Sequence, residues 1–197
     1  MKSCFGVCLI ALAGCGSNDG EPPSDPYAPI PIAGSRCGAV AQRHAVGVWD
    51  HVPQCSPITY ASNPPSWGDH YDFWAAYGEF TTPVAHGFSV HNLEHGSVVV
   101  SHHCPDAGCD VDLEAARAWI RSLRVDDFCL AQGLGTPRVL LTPDPELDSP
   151  WAASAWGYTL RADCFEPAVF SDFYAAHVGR GPEDVCSAGT TEPPDCG

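Results

Sequence analysis

Cysteine placement constrains this chain most. Eleven cysteines occur in 197 residues. Cys4, Cys8 and Cys15 lie in a leader-like N-terminus, and eight follow it: Cys37, Cys55, Cys104, Cys109, Cys129, Cys164, Cys186 and Cys196. An even number in an exported chain implies disulfides, which bind a fold at several distant points. Four bridges allow on the order of a hundred connectivities; the pairs expected here are Cys37 with Cys55 and Cys104 with Cys109. Cys104 and Cys109 have no second Cys or His pair at zinc-finger spacing, which favours a disulfide over a soft metal site.

Export is read from residues 1–15. Lys2 gives a positive start, Phe5 to Ala13 form a short apolar run, and Leu12-Ala13-Gly14-Cys15 end it with small residues. The run is too short to cross a bilayer as a helix and reads as an export signal. "LAGC" resembles the bacterial lipobox, in which the cysteine is lipidated and becomes the first residue of the mature protein. The resemblance assigns a lipid to Cys15 and a membrane anchor to the chain; the alternative is an ordinary cleaved signal. Residues 16–36, rich in Pro, Gly and small polar groups, are expected to be a flexible tether. The expected location is extracytoplasmic, on a bacterial membrane facing the periplasm or at the cell surface.

Charge excludes one class of partner. Lys2 is the only lysine, so its removal takes the net charge from −15 to −16, with 24 acidic residues remaining. Such a surface has no basic stripe with which to release counterions, so nucleic acid is not an expected partner.

Residues 37–187 are expected to form one globular domain, followed by a tail, 188–197, with Cys196 as an attachment point. Residues 88–90, 97–101 and 138–142 read as strands, and the second is apolar enough to be buried on both faces. Residues 151–162 read as an extended segment or hairpin. Asp112 suits the cap of a helix in which Leu113, Ala116, Ile120 and Leu123 recur at helical spacing. Pro167 suits the start of a second helix with Phe170, Phe173 and Tyr174 on one face and Gly179 at its end. The order predicts an α+β fold: a mostly antiparallel sheet with helices packed on one face, stapled by disulfides.

The chemistry-bearing stretch is "FSVHNLEHGSVVV". His91 and His95 lie four apart. On a helix that spacing brings Cβ atoms to about 5–6 Å; across a hairpin, facing residues come to about 5 Å. Either arrangement suits a shared metal ion. H-x-x-E-H is also the inverted zinc-protease signature, but Gly96 and the valines that follow disfavour a continuing helix, so a hairpin or turn is expected. His102 and His103 are more than about 20 Å from His95 along an extended strand. His70, after the proline-stiffened "SNPPSWGD", is the candidate third ligand. Glu94 is open to three roles: ligand, hydrogen-bond partner of an imidazole, or general base. Asn92 is expected to fix the turn through its own backbone, and Trp67, Trp74 and Trp156 to serve as core or pocket walls.

"SNPPSWGDH", "VHNLEHGSVVV", "SAWG" and "GPE", in that order between Tyr60 and Glu183, resemble the landmarks of DUF3105, a bacterial domain family of unknown function. Ser66, Trp67 and Asp69 depart from its first block, Ser97 from its second and Ser154 from its third. The resemblance implies a shared fold and a shared histidine cluster of His70, His91 and His95, but no reaction. His44, His51, His86 and His177 lie outside the blocks and are read as surface or packing residues. Three neutral imidazoles suit copper or zinc and do not suit calcium or magnesium. The expected function is therefore metal binding at His70, His91 and His95 by an exported, lipid-anchored domain. An open ligand position would permit hydrolysis or copper redox chemistry. The competing reading is a structural or interaction module without metal.

Overall fold

The computed structural model describes residues 25–103 and 109–196. The leader with Cys15, the first part of the tether and Cys104 lie outside the described residues. The chain begins with short strands β1 (Ile30–Pro31), β2 (Val40–Arg43), β3 (His51–Val52), β4 (His70–Tyr71) and β5 (Gly78–Glu79). Helix α1 (His86–Glu94) and strand β6 (Val98–His102) follow, then helices α2 (Asp110–Ser122) and α3 (Asp127–Ala131). Strands β7 (Val139–Pro143), β8 (Trp151–Ala155) and β9 (Tyr158–Ala162) and helix α4 (Pro167–His177) complete it.

Seven strands form one sheet in the order β1-β2-β9-β8-β6-β7-β5, while β3 and β4 make a separate parallel pair. The β8–β9 hairpin and the β6–β8, β2–β9 and β1–β2 pairings are antiparallel; β7 runs parallel to both β6 and β5. The mostly antiparallel α+β architecture is as expected, but helices pack on both faces of the sheet rather than on one. All five residues of β6 are buried, because it has packed layers on both sides. Val98 and Val100 join Val139, Leu141, Trp151, Trp119 of α2 and Phe170 of α4 on one face. Val99 joins Leu140 and, from α1, Phe88 and Leu93 on the other. Burying each such side chain stabilises the fold by about 1.5–3 kcal/mol.

Helix α2 begins two residues before Asp112, whose carboxylate instead accepts the Phe165 N–H at 3.2 Å and ties α2 to the approach of α4. Part of the expected tether belongs to the domain. Ile30–Pro31 pair with β2, and Glu166 accepts from the Ser35 hydroxyl and the Arg36 N–H, both at 3.0 Å. The tail is held too: Thr190 donates to the Trp74 carbonyl at 2.9 Å, and its own carbonyl accepts from Ala76 at 2.8 Å.

Residues 88–90 are not a strand, and 91–95 are not a hairpin turn: both lie in α1 or its cap. Gly87 to Glu94 are all buried, so packing, with Phe88 of α1 against Tyr71 of β4, rather than propensity supports this helix. It ends as a Schellman motif. Gly96, at φ +75°, donates to the Leu93 carbonyl at 2.9 Å, and Ser97 donates to Asn92 at 3.0 Å.

The expected Cys37–Cys55 bridge is also overturned. Cys37 bonds Cys164, because β2 pairs antiparallel with β9 and these cysteines flank the paired ends. Cys55 bonds Cys196 in the tail, and Cys129 of α3 bonds Cys186. Cys109 is disulfide-bonded; its expected partner, Cys104, lies outside the described residues. These bridges mark a chain that matures outside the cytoplasm. No described helix is long and apolar enough to cross a membrane.

Candidate metal centre

The sequence blocks that stand far apart in the chain meet at the C-terminal end of α1. Parallel pairing sets His51 of β3 directly beside His70 of β4. Asp69, one of the departures from the DUF3105 pattern, reinforces that pairing: its carboxylate accepts the Asp50 N–H, and its carbonyl accepts the Tyr60 hydroxyl, both at 2.9 Å. Gly157 after "SAW" donates to the Ser66 carbonyl at 2.8 Å. In "GPE", Glu183 donates its backbone N–H to the Glu94 carbonyl at 3.0 Å. A Cβ on Gly181 would run into the Glu94 carbonyl and the Gly96 nitrogen, so only glycine lets this loop lie on the helix end.

His51, His70, His91 and Glu94 converge. Each offers one ligand atom, and these atoms all lie within 4.8 Å of one another. His70, His91 and Glu94 are buried, whereas the His51 side chain is 44% exposed and forms the rim. Glu94 Oε2 stands 2.9 Å from His70 Nε2, 3.5 Å from His51 Nε2 and 4.0 Å from His91 Nε2. Its Oε1 accepts the Trp49 indole N–H at 2.7 Å.

Backbone carbonyls determine which ring nitrogens face inward. His70 Nδ1 donates to the Gly68 carbonyl at 2.9 Å, and His91 Nδ1 donates to Tyr71 at 2.6 Å. A carbonyl only accepts, so both Nδ1 atoms carry a proton and each ring turns its Nε2 toward the centre. Metal-binding histidines are oriented by this kind of outer hydrogen bond.

His95 stands beside this group: its Nε2 is 3.2 Å from His91 Nε2 and 3.6 Å from Glu183 Oε2. Glu94, His95 and Glu183 form a second group with ligand atoms within 4.8 Å of one another. Burial, with the neighbouring His70 ring adding to it, holds His91 down at about 4. Burial and the His91 ring do the same for His95, also to about 4. Both rings stay neutral at neutral pH, as metal ligation requires.

His70, His91 and His95 thus lie together, with His51 and Glu94 completing one group and Glu183 a neighbouring one. His51 is exposed, as expected of a surface residue, but its ring also faces His70, His91 and Glu94, which sequence reading missed. No motif surrounds it, and only its register with His70 brings it in. His44, His86 and His177 are engaged elsewhere, with Thr159, with Asp144 and with the Tyr158 and Phe173 rings. Asn92 does not bond its own backbone. It holds Ala75, accepting from its N–H at 3.0 Å and donating to its carbonyl at 2.8 Å. Trp74 lies against His91 and His95, with ring centroids at 5.0 and 4.5 Å. Trp156 walls the centre near Trp49 and His70, at 4.8 and 6.1 Å.

No curated protein and no solved structure matches this chain. A family model of proteins of unknown function, DUF3105, matches residues 51–189. That span opens on His51, takes in every residue of both ligand groups and closes just beyond Glu183, and the chain is accordingly a member of the DUF3105 family.

Proposed function

We propose that this protein is an exported metal-binding domain that holds a copper or zinc ion through His51, His70, His91 and Glu94, on a membrane anchor supplied by lipid at Cys15. One observation carries the metal reading. One ligand atom each from His51, His70, His91 and Glu94 lies within 4.8 Å of the others, and three of these four side chains are buried. Buried nitrogen and carboxylate atoms gathered this closely suit a shared cation. Three imidazoles and one carboxylate suit zinc or copper(II) better than calcium or magnesium. The anchor rests on "LAGC" alone.

A metal-dependent hydrolase is the second reading, favoured by the helical placement of H-x-x-E-H, which the inverted zinc-protease signature requires. Against it, the glutamate of that signature is a free base, whereas both oxygens of Glu94 already have partners in Trp49 and His70.

The test is elemental analysis of the disulfide-bonded protein, purified without a histidine tag. At least one equivalent of copper or zinc, lost in His70→Ala and His91→Ala, is expected. Metal content near zero in the parent protein, together with a melting temperature indifferent to chelator, would overturn the reading.

A further inference from the structure

His51, His70, His91 and Glu94 supply the four ligands that fill a tetrahedral shell. His95 and Glu183 are then left over, yet both are directed at the same end of α1. His95 is 3% exposed, and its Nδ1, which is not the nitrogen that faces Glu183, has no hydrogen-bond partner among the described residues. Its other nitrogen faces Glu183 Oε2 at 3.6 Å. Glu183 is brought there by a loop with no room for a side chain at Gly181 and by the Cys129–Cys186 bridge three residues on. Glu94 belongs to both ligand groups.

We propose that the centre is dinuclear, with an inner ion on His51, His70, His91 and Glu94, an outer ion on Glu94, His95 and Glu183, and Glu94 as the bridge. This rests on the metal-binding reading above. Carboxylate-bridged pairs hold their ions about 3.5–4 Å apart, a separation that suits groups whose histidines, His91 and His95, are neighbours on one helix. The outer ion has three protein ligands, one of them on a Glu183 side chain that is 52% exposed. It therefore keeps open positions toward solvent, exchanges faster than the inner ion, and is where water or another small oxygen-donor ligand binds.

Zn²⁺ titration of the metal-stripped, disulfide-intact chain by calorimetry tests this, paired with electron paramagnetic resonance of the Cu²⁺-loaded protein. Two equivalents of Zn²⁺ are expected, and magnetic coupling between copper ions should appear only as the second equivalent is added. Glu183→Gln, a substitution on the rim, should weaken the second event by about tenfold or more and leave the first unchanged. Saturation at one equivalent, or two events both indifferent to Glu183→Gln, would overturn the dinuclear proposal alone. No binding at all would instead remove the metal reading on which it stands.

Discussion

His70 Nε2 lies 2.9 Å from Glu94 Oε2, and both side chains are buried. With the His70 Nδ1 proton committed to Gly68, the pair is arranged to share a cation. The carboxylate is kept in place from behind by the Trp49 indole. A buried carboxylate held this way serves a ligand better than it serves stability, because its desolvation is repaid only when positive charge arrives.

Glu94→Gln preserves shape and removes that charge. Affinity for Zn²⁺ should fall by about 10–100-fold, read by competition with a chromophoric chelator. Equal affinity in the two proteins would exclude Glu94 as a ligand.

Stability should depend on pH in a definite direction. Burial holds His91 and His95 at about 4 in the folded protein, against an ordinary 6.5. Between those values the unfolded chain binds protons that the folded chain does not. Each ring's contribution is therefore fully present above 6.5 and lost as pH falls toward 4. Urea midpoints of the metal-free protein should drop across that window, whereas bound metal should leave the folded protein only toward the bottom of it, near 4, where protons reach the folded rings. His177 is also held at about 4, chiefly by burial, but packs on Tyr158 and Phe173. His177→Gln should flatten the stability curve without moving metal release.

Asn92→Ala would strand the N–H and carbonyl of Ala75, a residue with no exposed surface. Each unsatisfied group costs about 1–3 kcal/mol. A clear fall in the denaturation midpoint is expected, and a midpoint equal to that of the parent would mean water replaces both bonds.

Gly181→Ala puts a methyl group into the backbone at Glu94 and Gly96. The loop must lift, at a cost of about 1–3 kcal/mol, and Glu183 moves away from His95. Destabilisation together with weaker metal uptake is the expected pair of outcomes, measured by chemical denaturation and calorimetry.

Elements with a one-sided pattern were legible in the sequence. Helix α4 has Pro167 at its start, Phe170, Phe173 and Tyr174 buried and Gly179 just past its end, and the valines of β6 declared burial on both faces. Helix α1 was not legible, because burial from Gly87 through Glu94 leaves no polar face to mark a helical period. Its Gly96 looked like a strand-side turn and is in fact the left-handed residue of a helix cap. His91 and His95 were visible because either local geometry pairs them. His51 and the disulfide partners were not, since long-range register decides them and leaves no local trace.

The strand bearing His51 ends just short of Cys55, and Cys55 is fastened to Cys196 at the far end of the chain. That bridge spans 141 positions of sequence, so the rim of the proposed centre is tied to a segment made long after it. Until the two cysteines are joined His51 lacks that tie, and secure retention of the proposed ion waits on oxidation.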